Sequence, residues 1–414
     1  MNRIENMKIE LTNIGKIKNS LVELNGITII AGYNSTGKST ISKALVGLLN
    51  AYSDLPGKIK QQRFGSVRRA LCRELDEAAE TPYFHFYNRK EIDELVEKII
   101  NIKDYELTKE NLTVSLEHMD EQGKEGILKN YDKIKDAVTK YRYLSDEEYV
   151  RFIVSNKLQD YFNQQISSFD HEDVGWMELT WSSKESVTVQ IERNIVKNCS
   201  YNFLQEAQPI YIEPRHVLDD LENRVFQSEL ENKLKDEKHG RDEGISLAEY
   251  EYDVQIQNII EDLKKDITHG FLRKRENSLT FCDVDFEHDV DVRNVASGIK
   301  SMALILRLLE NGNLKPGGIL VIDEPEVNLH PQWQLSFAEF LVLLNKKLKV
   351  QILLNTHSPF FLRAIEVYTE KYETKKDLRL YLTQLCDEKL YTTIDVTDKS
   401  EEIYRQLYMP LEGL

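Results

Sequence analysis

The sequence predicts an α/β fold: a mostly parallel sheet with an N-terminal antiparallel hairpin and a mixed, mainly helical insertion. Three observations predict it. Short, almost wholly apolar runs at Ile27–Ala31, Ile319–Ile322 and Val350–Leu354 read as central strands buried on both faces. Helical patterns follow these runs, and strands that alternate with helices imply a parallel sheet covered on both sides. Between the first run and the second, the chain changes to amphipathic stretches with apolar residues at i, i+3, i+4 and i+7, the texture of an inserted helical segment.

Taken in order, Met7–Leu11 alternates as a half-buried strand. Leu21–Leu24 and Ile27–Ala31 flank Asn25-Gly26, a hairpin signal because a type I′ turn needs positive φ at both positions. From Ser39 the pattern becomes helical, with Ile41, Ala44, Leu45 and Leu48 on one face. Residues 1–50 thus form the first part of the core domain.

The insertion is expected over residues 51–205. It carries helices marked by Ile92, Leu95, Val96 and Ile99 and by Ile134, Ala137, Val138 and Tyr141, then a hairpin of Trp176–Trp181 and Val187–Ile191. Residues 206–414 return to the core domain. They contain the strand Pro209–Ile212, a charged helical region from Val217 to Arg275 and an alternating strand from Leu279 to Val292. A strand at Gly318–Ile322, a helix from Gln332 to Leu344 and the strand Val350–Leu354 follow. The tail reads as a hairpin, Leu378 to Val396, and a short helix capped by Asp398 with Glu401 three residues on.

Of 414 residues, 70 are Asp or Glu and 54 are Lys or Arg, a formal net charge of −16. That balance excludes a protein that coats nucleic acid through bulk positive charge. It leaves local basic patches, of which Lys58–Arg73 is the densest and Arg273-Lys274-Arg275 a smaller one; a solvated helix face is the competing reading of both. Cys72, Cys199, Cys282 and Cys386 form no CxxC pair, so neither a disulfide framework nor a zinc knuckle is indicated. The N-terminus lacks the apolar run of a signal peptide and no window reaches the length of a membrane span, which predicts a cytoplasmic protein without a membrane partner.

Four constellations carry chemistry. The first is Gly32-Tyr-Asn34-Ser35-Thr36-Gly37-Lys38-Ser39, with Thr40 behind it, a match to GxxxxGK[ST] between a buried strand and a helix. In that pattern backbone amides and the helix N-terminus wrap phosphates, Lys38 neutralises them and the Ser39 hydroxyl ligates Mg²⁺, so ATP and Mg²⁺ are the expected ligands. The second is Asp323-Glu324 at the end of an apolar strand: the first acid suits the Mg²⁺ shell and the second can polarise a water. The third is His357, at the end of another buried strand. Parallel strands deliver their C-terminal ends to one crevice, so His357 is placed to sense phosphate or position water. The fourth is Ser297-Gly298, with Lys300, at the N-terminus of a helix that runs from Met302 to Leu309.

In this order the four elements resemble the ABC-type ATPases of the SMC, RecF and OLD (overcoming lysogenisation defect) lineage. Gly32–Ser39 resembles their Walker A motif, Ser297-Gly298 their signature motif, Ile319–Glu324 their Walker B motif and His357 their switch histidine. The runs Asp323-Glu-Pro-Glu-Val-Asn-Leu-His-Pro331 and Asn355-Thr-His-Ser-Pro359 are similar to those of OLD-like AAA ATPases of phage-defence operons, as is Ile210-Tyr-Ile-Glu-Pro-Arg215.

The resemblance implies a P-loop NTPase fold of ABC/SMC-head type and a homodimer or higher oligomer that closes around ATP. Ser297 of one subunit would face the phosphates held by Lys38 of the other. Glu324 would be the general base, Asn328 would lie near the dimer contact and His357 would sense phosphate. It also implies a separately encoded effector, a nuclease or toxin. The signature departs from the transporter pattern, reading Ala-Ser-Gly-Ile-Lys, which counts against a transporter subunit. Gln61 and Gln62 are the candidates for the family's Q-loop glutamine. About 57 residues follow His357, which predicts no TOPRIM nuclease in this chain.

Asp283, Asp285, Glu287, His288, Asp289 and Asp291 suggest a metal site, although five of the six acids and histidine share strand parity and so read as a solvent-facing edge. Tyr141, Tyr143, Tyr149, Phe152 and Phe162 read as core rather than a base-stacking platform. Two other functions compete with a defence ATPase: a RecF- or SMC-type DNA-repair ATPase that binds DNA directly, and a scaffold that assembles on ATP with little turnover.

Overall fold

Strand β3 (Ile27–Ala31) is buried at every residue, as its sequence ITIIA requires, and it lies within an 11-stranded sheet. The computed structural model describes residues 7–77, 89–101, 108–116, 124–125, 128–168, 174–182, 185–200, 209–213, 230, 233–234, 247–263, 270–275, 278–283, 289–291, 295, 297–387 and 389–409.

The other strands of this sheet are β1 (Met7–Ile14), β2 (Ile17–Leu24), β4 (Gly175–Ser182), β5 (Glu185–Glu192), β6 (Ile195–Cys199), β7 (Ile210–Ile212), β11 (Ile319–Asp323), β12 (Gln351–Thr356), β13 (Leu378–Leu385) and β14 (Tyr391–Asp395). The order is β6-β5-β4-β1-β2-β14-β13-β3-β12-β11-β7. From β13 to β7 every pairing is parallel; from β6 to β2 every pairing is antiparallel. The sheet is therefore mixed: the strands that carry the motifs form one parallel block, and β14 pairs in parallel with β2 outside it. A separate three-stranded sheet holds β8 (Gly270–Arg275), β9 (Ser278–Asp283) and β10 (Val290–Asp291).

The N-terminal hairpin exists but is not the expected one. β1 pairs with β2 through the two-residue turn Gly15-Lys16, where Gly15 has φ 54°. β2 and β3, on either side of Asn25-Gly26, are not neighbours, because β14 and β13 lie between them. Gly26 does adopt positive φ, but a side chain there would collide with Asp377, so the glycine serves the approach of the tail strand rather than a tight turn.

The helices are α1 (Lys38–Tyr52), α2 (Leu55–Glu77), α3 (Arg89–Asn101), α4 (Lys109–Ser115), α5 (Tyr131–Arg142), α6 (Asp146–Phe162), α7 (Leu247–Leu263), α8 (Ser297–Glu310), α9 (Pro331–Leu348), α10 (Pro359–Lys371) and α11 (Glu401–Tyr408). α1 packs on β1, β4, β11 and β12. The apolar faces of α8, α9 and α10 join Ile29, Ile212, Leu320, Ile322, Leu354 and Leu380 of the sheet in one large core. Each such side chain, once fully buried, contributes about 1.5–3 kcal/mol.

The chain divides into two compact units, Met1–Ser53 with Val154–Leu414, and Asp54–Ile153. The insertion expected over residues 51–205 is thus shorter. Trp176–Trp181 and Val187–Ile191 do form a hairpin, but β4 pairs with β1 and so belongs to the main sheet. Within the second unit, Ile92, Leu95, Val96 and Ile99 meet Ile134, Val138, Val67 and Leu71 in a core of their own.

Three further expectations change. The helical region reaching Arg275 ends earlier, since Arg273–Arg275 lie in β8. The strand expected from Leu279 to Val292 is two antiparallel strands, β9 and β10; Asp285, Glu287 and His288 lie outside the described residues, as do Pro214 and Arg215. The last helix is capped at Ser400, not Asp398, and without a side-chain hydrogen bond. Among the described residues, no helix is long and apolar enough to cross a membrane.

Candidate functional site

The loop between β3 and α1 owes its path to residues that tolerate unusual backbone. Gly32 (φ 151°), Ser35 (φ 63°) and Gly37 (φ 93°) all have positive φ. A methyl group on Gly32 would overlap the Thr383 hydroxyl, and one on Gly37 would overlap Ile17. Thr36 is buried and shares a hydrogen bond of 2.7 Å with Thr383 of β13, while Lys16 donates to the Ser35 carbonyl at 3.0 Å. Asn34 and Ser35 are exposed; Ser39 and Thr40 lie half-buried in the first turn of α1. Gly37 caps α1 with no side-chain bond and the first turn contains no acid, so the positive end of the helix is open to an anion.

Lys38 is 5% exposed, and its ammonium donates to the carbonyls of Gly32 (2.8 Å) and Tyr33 (2.7 Å). Burial holds this ammonium below the usual lysine range, while Glu324, Asp323 and Glu326 pull in the opposite direction. The loop lysine and the carboxylates of the distant β11 turn are therefore electrostatic neighbours.

β11 and β12 run parallel with Asp323 opposite Asn355, so both strands end at one level. Asp323 is buried at the end of β11. One carboxylate oxygen accepts from the Asn355 amide and the other from the Tyr211 phenol of β7 at 2.8 Å. The same Asn355 amide reaches Ser42 of α1 at 2.7 Å. Burial, with Asp323 and Glu213 nearby, pushes the Tyr211 phenol well above its ordinary range and keeps it a donor.

After Asp323 the chain turns sharply. Glu324 (φ 49°) and Asn328 (φ 61°) both occupy the left-handed region, a strained state for residues with side chains. The Glu324 amide donates to the Asn355 carbonyl at 2.8 Å, which holds the turn against β12. Glu324 Oε1 then lies 3.6 Å from His357 Nδ1, and Glu326 Oε1 lies 3.3 Å from it. Asn328 is exposed at the turn. His330 has a helix-end role, its Nδ1 accepting from the Gln332 amide at the start of α9.

Lys38, Asp323, Glu324 and His357 thus lie together at the ends of three adjacent parallel strands. Ser297 and Gly298 open α8, and their side chains lie outside the described set; Lys300, one turn on, is buried. Gln61 and Gln62 sit within α2 of the second unit. In the basic window, Arg63 pairs with Asp146 (2.6 Å), Arg68 with Asp93 (2.6 Å) and Arg73 with Glu74 (2.9 Å). These three arginines pair with carboxylates within the second unit, so they form neither the fully solvated face nor the free basic patch that the window suggested.

Sequence reasoning assigned no role to Tyr211, Asn355, Glu326, Thr383 or Ser42. Asn355 carried a usable signal, an amide within the apolar run Gln351–Thr356. Tyr211 and Thr383 had none, because their importance depends on which strands are neighbours.

A site holding Mg²⁺ would need hard oxygen donors, and the hydroxyl of Ser39 and the carboxylate of Asp323 supply that chemistry. Asn355 Oδ1, on the residue that steadies Asp323, is buried with no hydrogen-bond donor, an acceptor suited to a hydrated cation. Among the described residues, no group of three or more His, Cys, Asp or Glu side chains is placed to hold a metal by itself.

A family model described as "AAA domain, putative AbiEii toxin, Type IV TA system" matches residues 27–363. Among curated proteins, Endonuclease GajA of Bacillus cereus (strain HuB5-5) is 22% identical over 372 residues, which cover 81% of this chain and 52% of GajA. The chain spans about half the length of that relative. Solved structures similar to it include the SMC head domain from Thermotoga maritima, with 10% identity, coverage of 94% of this chain and 98% of that one, and a TM-score of 0.41. Another is the SmcHead bound to the C-winged helix domain of ScpA, with 10% identity, coverage of 96% and 99%, and a TM-score of 0.45.

Proposed function

We propose, from the premise that this chain belongs to the AAA-domain family and is an SMC/ABC-like P-loop ATPase of the OLD lineage, that it binds and hydrolyses ATP with Mg²⁺ as the regulatory ATPase of an antiviral defence system. The observation that carries the catalytic part is the convergence of Lys38, Asp323, Glu324 and His357 at the ends of β3, β11 and β12.

The residues divide the work by chemistry. The backbone amides of Gly32–Ser39 and the start of α1 bind the phosphates, and Lys38 neutralises them. Ser39 and Asp323 would hold Mg²⁺, which when bound offsets the negative charge of the phosphates. Glu324, on its strained turn, is the general base: its carboxylate takes the proton of the attacking water as the bond to the terminal phosphate breaks. His357 beside it either senses that phosphate or positions the water. Asn355 and Tyr211 hold Asp323 in place.

Head-to-head dimerisation would bring Ser297, Gly298 and Lys300 of one subunit to the phosphates on the other, and the exposed Asn328 is suited to that contact. ATP then acts as a bridge between heads and its hydrolysis separates them. That GajA is an endonuclease supports a nuclease as the effector that such an ATPase controls. We assign the ATPase work to this stretch and the effector chemistry to a separate component. Direct DNA binding through Lys58–Arg73 is the weaker reading, because Arg63, Arg68 and Arg73 already have carboxylate partners.

The test is Glu324→Gln. It is expected to retain ATP binding, lower turnover at least about 100-fold and increase the dimer fraction measured by light scattering in ATP. Turnover equal to that of the unaltered protein would reject the assignment.

A further inference from the structure

Glu326 has no part in the scheme above, yet it is the most heavily engaged acid of the site. It is 6% exposed. Its Oε1 accepts three hydrogen bonds from consecutive residues at the end of β12: Thr356 Oγ1 at 2.7 Å, the His357 amide at 3.0 Å and the Ser358 amide at 3.1 Å. Thr356 Oγ1 in turn accepts from the Ser358 amide at 3.0 Å. The turn that presents Glu326 is bracketed by the left-handed residues Glu324 and Asn328 and closed by Val327 N–H to the Glu324 carbonyl. One carboxylate thus fixes the backbone on both sides of His357 to the turn that carries Glu324.

The second observation concerns the ring. His357 Nδ1 is buried, and the two ionisable groups beside it are both carboxylates, Glu326 at 3.3 Å and Glu324 at 3.6 Å, neither in hydrogen-bond geometry. Carboxylate oxygens only accept hydrogen bonds. A lone pair on Nδ1 facing two of them is repelled, whereas an N–H there is attracted. The ring is about a third exposed, so its accessible part is the edge away from Nδ1.

We propose that Glu326 is the positioning residue of His357: it locks the 356–358 turn and sets the tautomer of the imidazole, favouring Nδ1 over Nε2 as the site of the single proton. Nε2 is then an acceptor, and an acceptor takes a hydrogen from water, not from a phosphate oxygen. Of the two roles left open for His357, this selects water positioning beside Glu324. The inference rests on the ATPase reading of the same site, but its first test does not use nucleotide.

Glu326→Gln tests it, because the amide oxygen can still accept the bonds of Thr356, His357 and Ser358 while the charge beside Nδ1 is gone. With ¹⁵N-histidine labelling and His357→Ala for assignment, long-range ¹H–¹⁵N spectra read the tautomer of the neutral ring. The unaltered protein is expected to show His357 mainly as the Nδ1–H form, and Glu326→Gln to move it toward the Nε2–H form. A ring mainly Nε2–H in the unaltered protein, or one indifferent to Glu326→Gln, overturns the proposal.

The kinetic counterpart is a fall in kcat of roughly 10–100-fold with KM for ATP unchanged. A Glu326→Gln protein that hydrolyses ATP at the full rate also overturns it, while leaving the ATPase reading intact. Absence of hydrolysis in the unaltered protein would reject the ATPase reading instead, and the tautomer would still decide whether Glu326 positions the ring.

Discussion

Asn355 and Asp323 stand opposite each other at the ends of parallel strands, and the Asn355 amide donates to the Asp323 carboxylate and to the Ser42 hydroxyl at once. A fully buried amide thereby ties the first helix after the phosphate loop to the acid at the end of β11.

Removing that tie leaves a buried carboxylate oxygen and a hydroxyl short of a donor. Asn355→Ala is expected to cost about 1–3 kcal/mol, read as a lower urea midpoint with an unchanged slope. Asn355→Asp, which sets a second carboxylate against Asp323, should fall further.

Gly32 tests the cradle itself. Gly32→Ala places a methyl group against Thr383 and requires φ 151° of a residue with a Cβ, so a loss of about 1–3 kcal/mol is expected. Combining it with Thr383→Ala relieves the overlap but not the backbone strain. The double variant should therefore be more stable than the sum of the two single losses, as measured by denaturant unfolding of all four proteins.

Alkaline stability follows from three phenols. Burial pushes Tyr52, Tyr211 and Tyr404 well above the ordinary tyrosine range, with Asp323 adding to the effect at Tyr211 and Glu366 at Tyr404. Their folded forms keep the proton where the unfolded chain loses it. Their contribution to stability is complete below about pH 10 and is lost as pH rises above that value toward the folded pKa. Phenolate absorbance should show these three ionising only as the protein unfolds, and Tyr52→Phe should reduce the alkaline loss of stability.

The basic window separates a structural role from a DNA-binding one. Arg63 pairs with Asp146, donates to the Leu144 carbonyl at 3.2 Å and lies 4.9 Å from the Tyr149 ring centre. Arg63→Ala is expected to lower the melting temperature more than Arg68→Glu, whose partly exposed ion pair is worth about 0–1 kcal/mol. Neither should alter DNA affinity in a mobility-shift assay by more than about twofold. A loss of DNA binding on Arg68→Glu at full thermal stability would favour the DNA-repair reading.

Much of the site was legible because its chemistry is local. The spacing of Gly32, Gly37 and Lys38 between an apolar strand and a helix placed the loop, and Asp323 and His357 at apolar strand ends placed the crevice. Strand neighbours were not legible. Asn25-Gly26 carried the strongest turn signal in the chain, yet β13 and β14 separate the strands on either side of it; side-chain periodicity records which face of a strand is buried and says nothing of the strand beside it. The same limit hid Tyr211 and Thr383, whose partners lie 112 and 347 residues away in sequence. Shared parity from Asp283 to Asp291 presupposes one strand, whereas β9 and β10 pair antiparallel, and Asp285, Glu287 and His288 lie outside the described residues.

The strand order also dictates when the protein can become itself. β2 and β3 are joined only by way of β14 and β13, so residues 378–395 sew the first hairpin to the strand that carries the phosphate loop. A nascent chain that has already made Lys38 must wait for more than three hundred further residues before that loop gains its Thr383 wall. Loop closure over such distances is slow, and the exposed edges of β2 and β3 are open to wrong partners in the meantime. The loop that follows β3 therefore stays without its Thr383 wall until residues 378–395 have been made.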